Sequence, residues 1–435
     1  MLAQSLFLLA ALAAFVLILP RHLTLPIQIL IAMLAGVAVG WLLPMWDAEA
    51  FVSDYLGIFG TLFILLLTVV IIPLIFVSIV CGVSGIGDVR KLGALGIKTI
   101  GYYVLTTALA VLIGLTVVNA LRPGLDRAGL LGDIRPAAEV AELEKSLGQI
   151  IQEDILPVII QNPIMANQDA IAIIFFAILL GAALSTLGKT GESAIAVFQG
   201  LDQAFITIIL WVMKLAPLGV FALMARAISE LGIEYMLTLA KYVITVLLGL
   251  GIHFCILVFL VCPLLGRVSP RRFLRGMLPA FEVSFSTSSS AATIPVTIEC
   301  ASKRIGANKN ICNFMVPIGA TINMDGTALY VSVASLFIAQ VYGIDLSVQQ
   351  QLMVFLTAVM VSVGTAGIPG ASIGLMSIIL TSAGIPVEGI GIVIGVDRIL
   401  DMSRTVINIT GDSIGTVVVS QSEGAMGEPE PIMES

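Results

Sequence analysis

Charge is what this sequence has least of. Asp, Glu, Lys and Arg together make up 11% of it, less than half of the roughly 25% typical of a soluble domain. A chain so short of charge cannot cover a water-facing surface, which excludes an ordinary soluble fold. Histidine occurs only as His22 and His253, too few and too far apart to share a metal ion. His253 sits in an apolar run and reads as a packing residue. The cysteines Cys81, Cys255, Cys262, Cys300 and Cys312 stand singly with no CxxC pair, so neither a disulfide framework nor a zinc site is supported. No nucleophile–base pairing and no phosphate-binding glycine loop can be found, so no catalytic residues, no organic cofactor and no enzymatic activity are expected.

What is abundant is hydrophobic residue, at 58%. That places the chain among membrane proteins before any motif is considered. A spanning helix needs about 20 apolar residues, and such runs lie near 25–43, 55–82, 99–120, 170–187, 193–225 and 236–263. Residues 2–19 are apolar too. They lack a basic leader region, and Arg21 and His22 follow them without a small-residue cleavage site, so 1–24 reads as an extra retained helix. Residues 25–435 read as one integral membrane unit.

Basic residues cluster on the cytoplasmic side of membrane proteins. Arg21, the group Arg90, Lys91 and Lys98, Lys189, the group Arg267, Arg271, Arg272 and Arg275, and the group Lys303, Arg304 and Lys309 all fall on one side. This parity requires the six runs to span and 276–302 to dip in and return. The acidic loop within 122–165 then lies on the outer side.

The last third carries the chemistry. At about 100° per residue, Asp397, Asp401, Arg404, Thr405, Asn408 and Asp412 form one stripe on an otherwise apolar segment. Charges in lipid cost several kcal/mol each, so the stripe faces protein or an aqueous path. An arginine fork binds a carboxylate with two hydrogen bonds, and Asp401 one turn away suits an ammonium group. Asp412 has no basic neighbour in the stripe, and a buried carboxylate then needs an alkali cation or a proton. In GATINMDGTALY (319–330), Asn323, Asp325 and Gly326 are poor helix formers, so the helix is expected to unwind there. Broken backbone at membrane depth is tolerated where it lines a cavity, and its carbonyls can hold a cation. SFSTSSSAATIP (284–295) and VSVGTAGIPGAS (361–372) are too polar or too broken to cross, and each reads as a re-entrant hairpin. The order hairpin, broken helix, hairpin, polar helix suggests an inverted repeat.

SSSAATIP, GATINMDGTALY, GTAGIPGA and DRILDMSRTVINITGD resemble the dicarboxylate/amino acid:cation symporters, the glutamate transporter family, over about 25–420. The resemblance implies an all-α homotrimer in the bacterial inner membrane. Each protomer is expected to have eight spanning helices, some broken, and two re-entrant hairpins. A scaffold near 25–82 and 165–235 would hold a transport part near 88–120 and 236–420 that moves like an elevator. Carried over by motif, Arg404 holds the substrate's side-chain carboxylate and Asp401 its amino group. Asn408, Thr405, Thr327, Ser289 and Ser290 complete the site, and Ile368, Pro369 and Gly370 form the gate. One cation site is expected at Gly319, Asn323, Asn408 and Asp412, a second at Thr321, Ser362, Val363 and Thr365, and a third at Tyr103, Thr106, Thr107, Asn323 and Asp325. The third site favours sodium over protons without excluding them. Ser372 stands at a hairpin position that is often glycine in the family, and Val331 stands where potassium-linked relatives carry a glutamate. The implied function is uptake of glutamate or aspartate. A carrier of succinate, fumarate or malate is the alternative, and an ion channel is the rival from another class.

Overall fold

A computed structural model describes residues 23–46, 51–85, 89–125, 170–362, 367 and 369–429. Among these every regular element is helical, and five stretches are long and apolar enough to cross a membrane: Ile27–Met45, Leu95–Leu121, Lys189–Met213, Tyr235–Leu265 and Lys309–Val341. This is a membrane protein. The extra N-terminal helix, nearly all of the loop 122–165, and Val363, Thr365 and Ile368 lie outside the described residues.

Prolines punctuate the outer helices. Helix α1 (Leu25–Leu42) opens with a proline in its first turn, where the missing N–H costs nothing. Helix α2 (Gly57–Gly85) carries Pro73 inside it, α3 spans Val89–Leu121, and α4 spans Ala170–Thr186. The run expected as one span at 193–225 is instead two helices, α5 (Lys189–Met213) and α6 (Ala216–Leu231). The break at Lys214–Leu215 precedes Pro217, whose ring would clash with a carbonyl four residues back and which offers no N–H. Helix α7 (Tyr235–Cys255) continues through a π turn at Ile256–Val261 into Cys262–Leu265. Pro263 withholds one ladder hydrogen bond there, and the register widens.

The C-terminal half is assembled from capped, short helices. Helix α8 (Pro270–Thr287) starts at Ser269, which accepts from Arg272 N, and ends at Ser288 with φ 51. Ser289 then caps α9 (Ser290–Glu299) by accepting from Ala292 N. Asn308 caps α10 (Lys309–Ile322) through Asn310 N and Ile311 N. The expected unwinding is confined to Asn323 and Met324, and Asp325 and Gly326 already lie in the first turn of α11 (Asp325–Val341). A carboxylate in a first turn is favoured by the helix dipole. Helices α12 (Val348–Ser362) and α13 (Ala371–Ser382) are joined through Gly370, whose φ of 82 suits a residue without a Cβ. The long α14 (Ile390–Ser422) closes the set.

Packing sorts these helices into two groups. In the first, α6 lies along α1 and α2, and α2 packs on α4 and α5. In the second, α10 and α11 pack on α14, α3 lies against α11, α7 and α12, and the pairs α8–α9 and α12–α13 fold onto the same centre. The groups meet where α6 and α1 touch α14, and where α2 touches α10 and α13. The end of α14 is tied back onto the second group: Lys98 Nζ pairs with Glu423 at 2.6 Å, and Gly427 N donates to Gly306 O at 2.8 Å.

Candidate functional site

The polar stripe of α14 faces inward along its whole length. Asp397, Asp401, Arg404, Thr405, Asn408 and Asp412 are all buried, and Arg404 has no exposed surface at all. A guanidinium without water must find its partners in the protein. Arg404 Nη1 donates to Asp397 Oδ1 at 2.8 Å, and Nη2 donates to Asp401 Oδ1 at 2.8 Å and to Ser372 Oγ at 2.9 Å. Its plane lies 3.8 Å from the centre of the Tyr330 ring, where the ring's quadrupole attracts a cation. The helical repeat explains the first two contacts, since residues three and seven apart share a face. Ser372 comes from α13 and owes its place to the tertiary fold.

Beside this cluster lies a narrow cleft with a cavity volume of about 10 Å³. Asp401, Thr405 and Asn408 form one wall, and Met324 and Thr327 at the helix break form another. Ser288 and Ser290 enter from the α8–α9 tip, and Gly367, Ala371 and Ser372 from the α12–α13 side. The two tips touch: Ser289 Oγ donates to Gly367 O at 2.7 Å and Ala291 N donates to it at 3.2 Å. Ser289 therefore ties the two tips together while its neighbours line the cleft. Pro369 and Gly370, expected at the gate, do not line this space; Gly370 borders a second void on the far side of Asp401. Arg404 sits one hydrogen bond behind the wall, held by the wall residues Asp401 and Ser372.

A second polar cluster surrounds the break. Thr107 Oγ1 donates to Asp325 Oδ1 at 2.7 Å. Thr106 Oγ1 lies 3.1 Å from Asn323 Oδ1, 3.2 Å from Tyr103 O and 3.3 Å from Asp325 Oδ1. Asn323 Nδ2 donates to Asp412 Oδ1 at 2.9 Å, while Asp412 Oδ2 is buried with no hydrogen-bond partner among the described residues. A Cβ at Gly319 would run into the Asp412 carboxylate and the Tyr103 hydroxyl, so glycine is what lets α10 approach. Tyr103 contributes its carbonyl, its hydroxyl being engaged with Met315 O at 2.8 Å. The residues expected at the first and third cation sites thus come together, with one difference. Asn408 turns away, accepting from Gly326 N at 2.8 Å and lying 3.4 Å from Thr327 Oγ1. Thr321 and Ser362 donate within their own helices, to Ile318 O and Val359 O.

The site thus gathers buried carboxylates, an arginine fork and a broken helix at membrane depth. The sequence profile of the sodium:dicarboxylate symporter family matches residues 25–422. The chain belongs to that family. Its similarity to individual members is broad. It is 36% identical to the proton/sodium-glutamate symport protein of Bacillus subtilis (strain 168), over 91% of this chain and 92% of the relative. It is 36% identical to the proton/glutamate-aspartate symporter of Escherichia coli (strain K12), with the same coverage. It is 33% identical to the C4-dicarboxylate transport protein of Bacillus subtilis (strain 168), over 94% of this chain and 96% of the relative. Sodium:dicarboxylate symporters are transporters and not enzymes.

Sequence reasoning missed two of this symporter's buried contacts. His253 was read as packing, yet its Nε2 lies 3.1 Å from Asp325 Oδ2 and both residues are fully buried. The signal existed: Thr238, Tyr242, Thr245, Gly249 and His253 recur every three or four residues on the buried face of α7. Ser372 was noted only for not being glycine, and it bonds Arg404 directly. Nothing in its local sequence announces that contact.

Proposed function

We propose that this chain is a secondary symporter that takes up acidic amino acids, glutamate or aspartate, together with sodium or protons. The observation that carries the reading is the pairing of Arg404 with Asp401 at the wall of a cleft closed by two hairpin tips. An arginine fork for a carboxylate and an aspartate for an ammonium, within one helical turn, match a zwitterion bearing an extra acidic group. Relatives named for glutamate or glutamate-aspartate symport support the choice, and the C4-dicarboxylate relative keeps the alternative of a succinate-type substrate in view. Asp401 argues against that alternative, because such a substrate has no ammonium to offer.

The coupling ion is read from the second cluster. Asp412 has a carboxylate oxygen without a hydrogen bond beside Asn323, Asp325 and the cradle at Gly319. A ring of oxygens around an uncompensated charge suits an alkali cation. Asp325, Thr106, Thr107 and the carbonyl of Tyr103 form a neighbouring oxygen set.

The wider architecture follows the family. The reading is of eight spans with two re-entrant hairpins, α8–α9 and α12–α13, in inverted repeats. The first packing group is the scaffold and the second the moving transport part, closed by α8–α9 and α12–α13. Helices α4 and α5 turn Leu179, Val197, Leu201 and Trp211 outward, an apolar surface suited to lipid and to the other protomers of a homotrimer in the bacterial inner membrane.

The test is uptake by purified protein in proteoliposomes, with sodium and pH gradients imposed separately. Concentrative uptake of labelled aspartate or glutamate driven by an ion gradient is the expected result. Uptake of succinate in preference to both, or flux that only dissipates gradients, overturns the reading.

A further inference from the structure

Arg404 Nε is buried with no hydrogen-bond partner among the described residues, but the end of its fork is taken. Its two terminal nitrogens are committed to Asp397, Asp401 and Ser372. A carboxylate that grips the end of the fork across both terminal nitrogens must displace an acceptor from Nη2, whose two hydrogens are both donated, and where that acceptor is an aspartate it needs a new cation, because leaving it unpaired is strongly unfavourable. The two aspartates differ in what they can turn to. Among the described residues, Arg404 is the only ion-pair partner of Asp397. Asp401 has a second: its Oδ2 lies 3.7 Å from Arg398 Nη1, too long for a hydrogen bond.

Arg398 is waiting for an acceptor. Its side chain is 10% exposed, and its Nε and Nη1 are buried with no hydrogen-bond partner among the described residues. Buried donors left unmade are costly and uncommon. The residue borders the second void, a small cavity of about 20 Å³ where Gly370 and Ile373 face Phe63 and Met213. Closing the 3.7 Å gap to hydrogen-bond distance asks the guanidinium to move by only about 1 Å.

We infer that Arg398 is a positioning residue that receives Asp401 when a substrate carboxylate takes Arg404. In the empty site Asp401 Oδ1 belongs to Arg404. On binding, Oδ2 closes onto Arg398, Arg404 Nη2 is released to the substrate, and Oδ1, already in the cleft wall, turns to the substrate's ammonium. The handover keeps every buried charge paired in both states. It rests on the acidic amino-acid reading above, and it makes Arg398, which the substrate never touches, necessary for affinity.

The experiment is calorimetric titration of L-aspartate into full-length protein in nanodiscs at saturating sodium. Arg398→Gln is expected to weaken binding about tenfold or more, the loss of one charge-assisted buried contact. Sodium alone, without aspartate, is expected to raise the melting temperature of the variant as it does that of the wild type, which shows the variant folded. In an Asp401→Asn background, titrated into the millimolar range, Arg398→Gln is expected to change nothing further, because the receiver has lost its charge. A merely structural Arg398 would cost the same factor in both backgrounds. If Arg398→Gln does not fold, Arg398→Met, which keeps a long side chain and removes the charge, decides by the same comparison. Binding within twofold of wild type, or equal losses in the two backgrounds, overturns the handover alone. A wild type that binds no acidic amino acid at any sodium concentration or pH overturns the functional reading and the handover with it.

Discussion

Helix α5 and the α10–α11 rod make an instructive pair. Both are long and apolar, with mean hydropathies of 1.7 over Lys189–Met213 and 1.3 over Lys309–Val341. Yet of the most apolar 18-residue window in each, only 11% is buried inside the protein in the first, against 100% in the second. Hydropathy alone would send either into lipid. What separates them is the kind of residue scattered among the apolar ones. The rod carries Asn323, Asp325, Thr327, Ser332 and Ser335, all buried, together with the close-packed glycines Gly319 and Gly326. Lipid cannot satisfy such groups, so they are turned inward and hydrogen-bonded. On α5 Asp202 hydrogen-bonds Ser78, while the middle of the helix turns Val197 and Leu201 outward together with Gln199 and Gln203, whose long side chains can reach from the helix to a polar neighbour.

The contrast can be tested in descending order of effect. The largest change is expected at the charge the inner layer encloses. Arg404→Cys takes from Asp397 its ion-pair partner among the described residues and from Asp401 the nearer of two, and aspartate affinity is expected to fall by about a hundredfold or more, measured by titration; unchanged affinity would remove Arg404 from the site. Next comes packing. A Cβ on Gly326 would lie 2.6 Å from Arg404 O and 3.1 Å from Asn408 Oδ1, so Gly326→Ala is expected to cost about 2–3 kcal/mol in a thermal melt. Gly200 on α5 has nothing within 4 Å of the same position, and Gly200→Ala is expected to be neutral or to stabilise by up to about 1 kcal/mol. Equal effects at the two glycines would break the comparison. Asp412→Asn removes the charge opposite Asn323, and the sodium concentration for half-maximal aspartate binding is expected to rise about tenfold; an identical sodium titration excludes Asp412 as a ligand. The smallest change is expected at Val197, 63% exposed on α5, where Val197→Ala is expected to shift stability by less than about 0.5 kcal/mol. A larger shift there would mean that this face is packed against another protomer.

The membrane class and most helices are legible from hydrophobic run length alone, because the bilayer imposes that length. The polar stripe is legible from the helical repeat, and all six of its members proved buried. The α5–α6 run was misjudged because apolar character continues across a proline that still ends the helix. The breadth of the unwinding was overestimated, since Asp325 is tolerated as a first-turn residue even though it is a poor residue mid-helix.

By itself the sequence settled what kinds of groups must be hidden: a chain with this little charge places its few intramembrane ions on one helical face, because each exposed one would cost several kcal/mol. It could not say which partner each ion has. Arg404 bonds Ser372 from 32 residues away, Asp325 meets His253 across 72, and Ser289 meets Gly367 across 78. Such contacts depend on how helices cross in space, and helical periodicity carries information only along one element. The tertiary structure alone decided that the α8–α9 tip meets the segment before α13 beside one cleft and that Asp401 stands between two arginines.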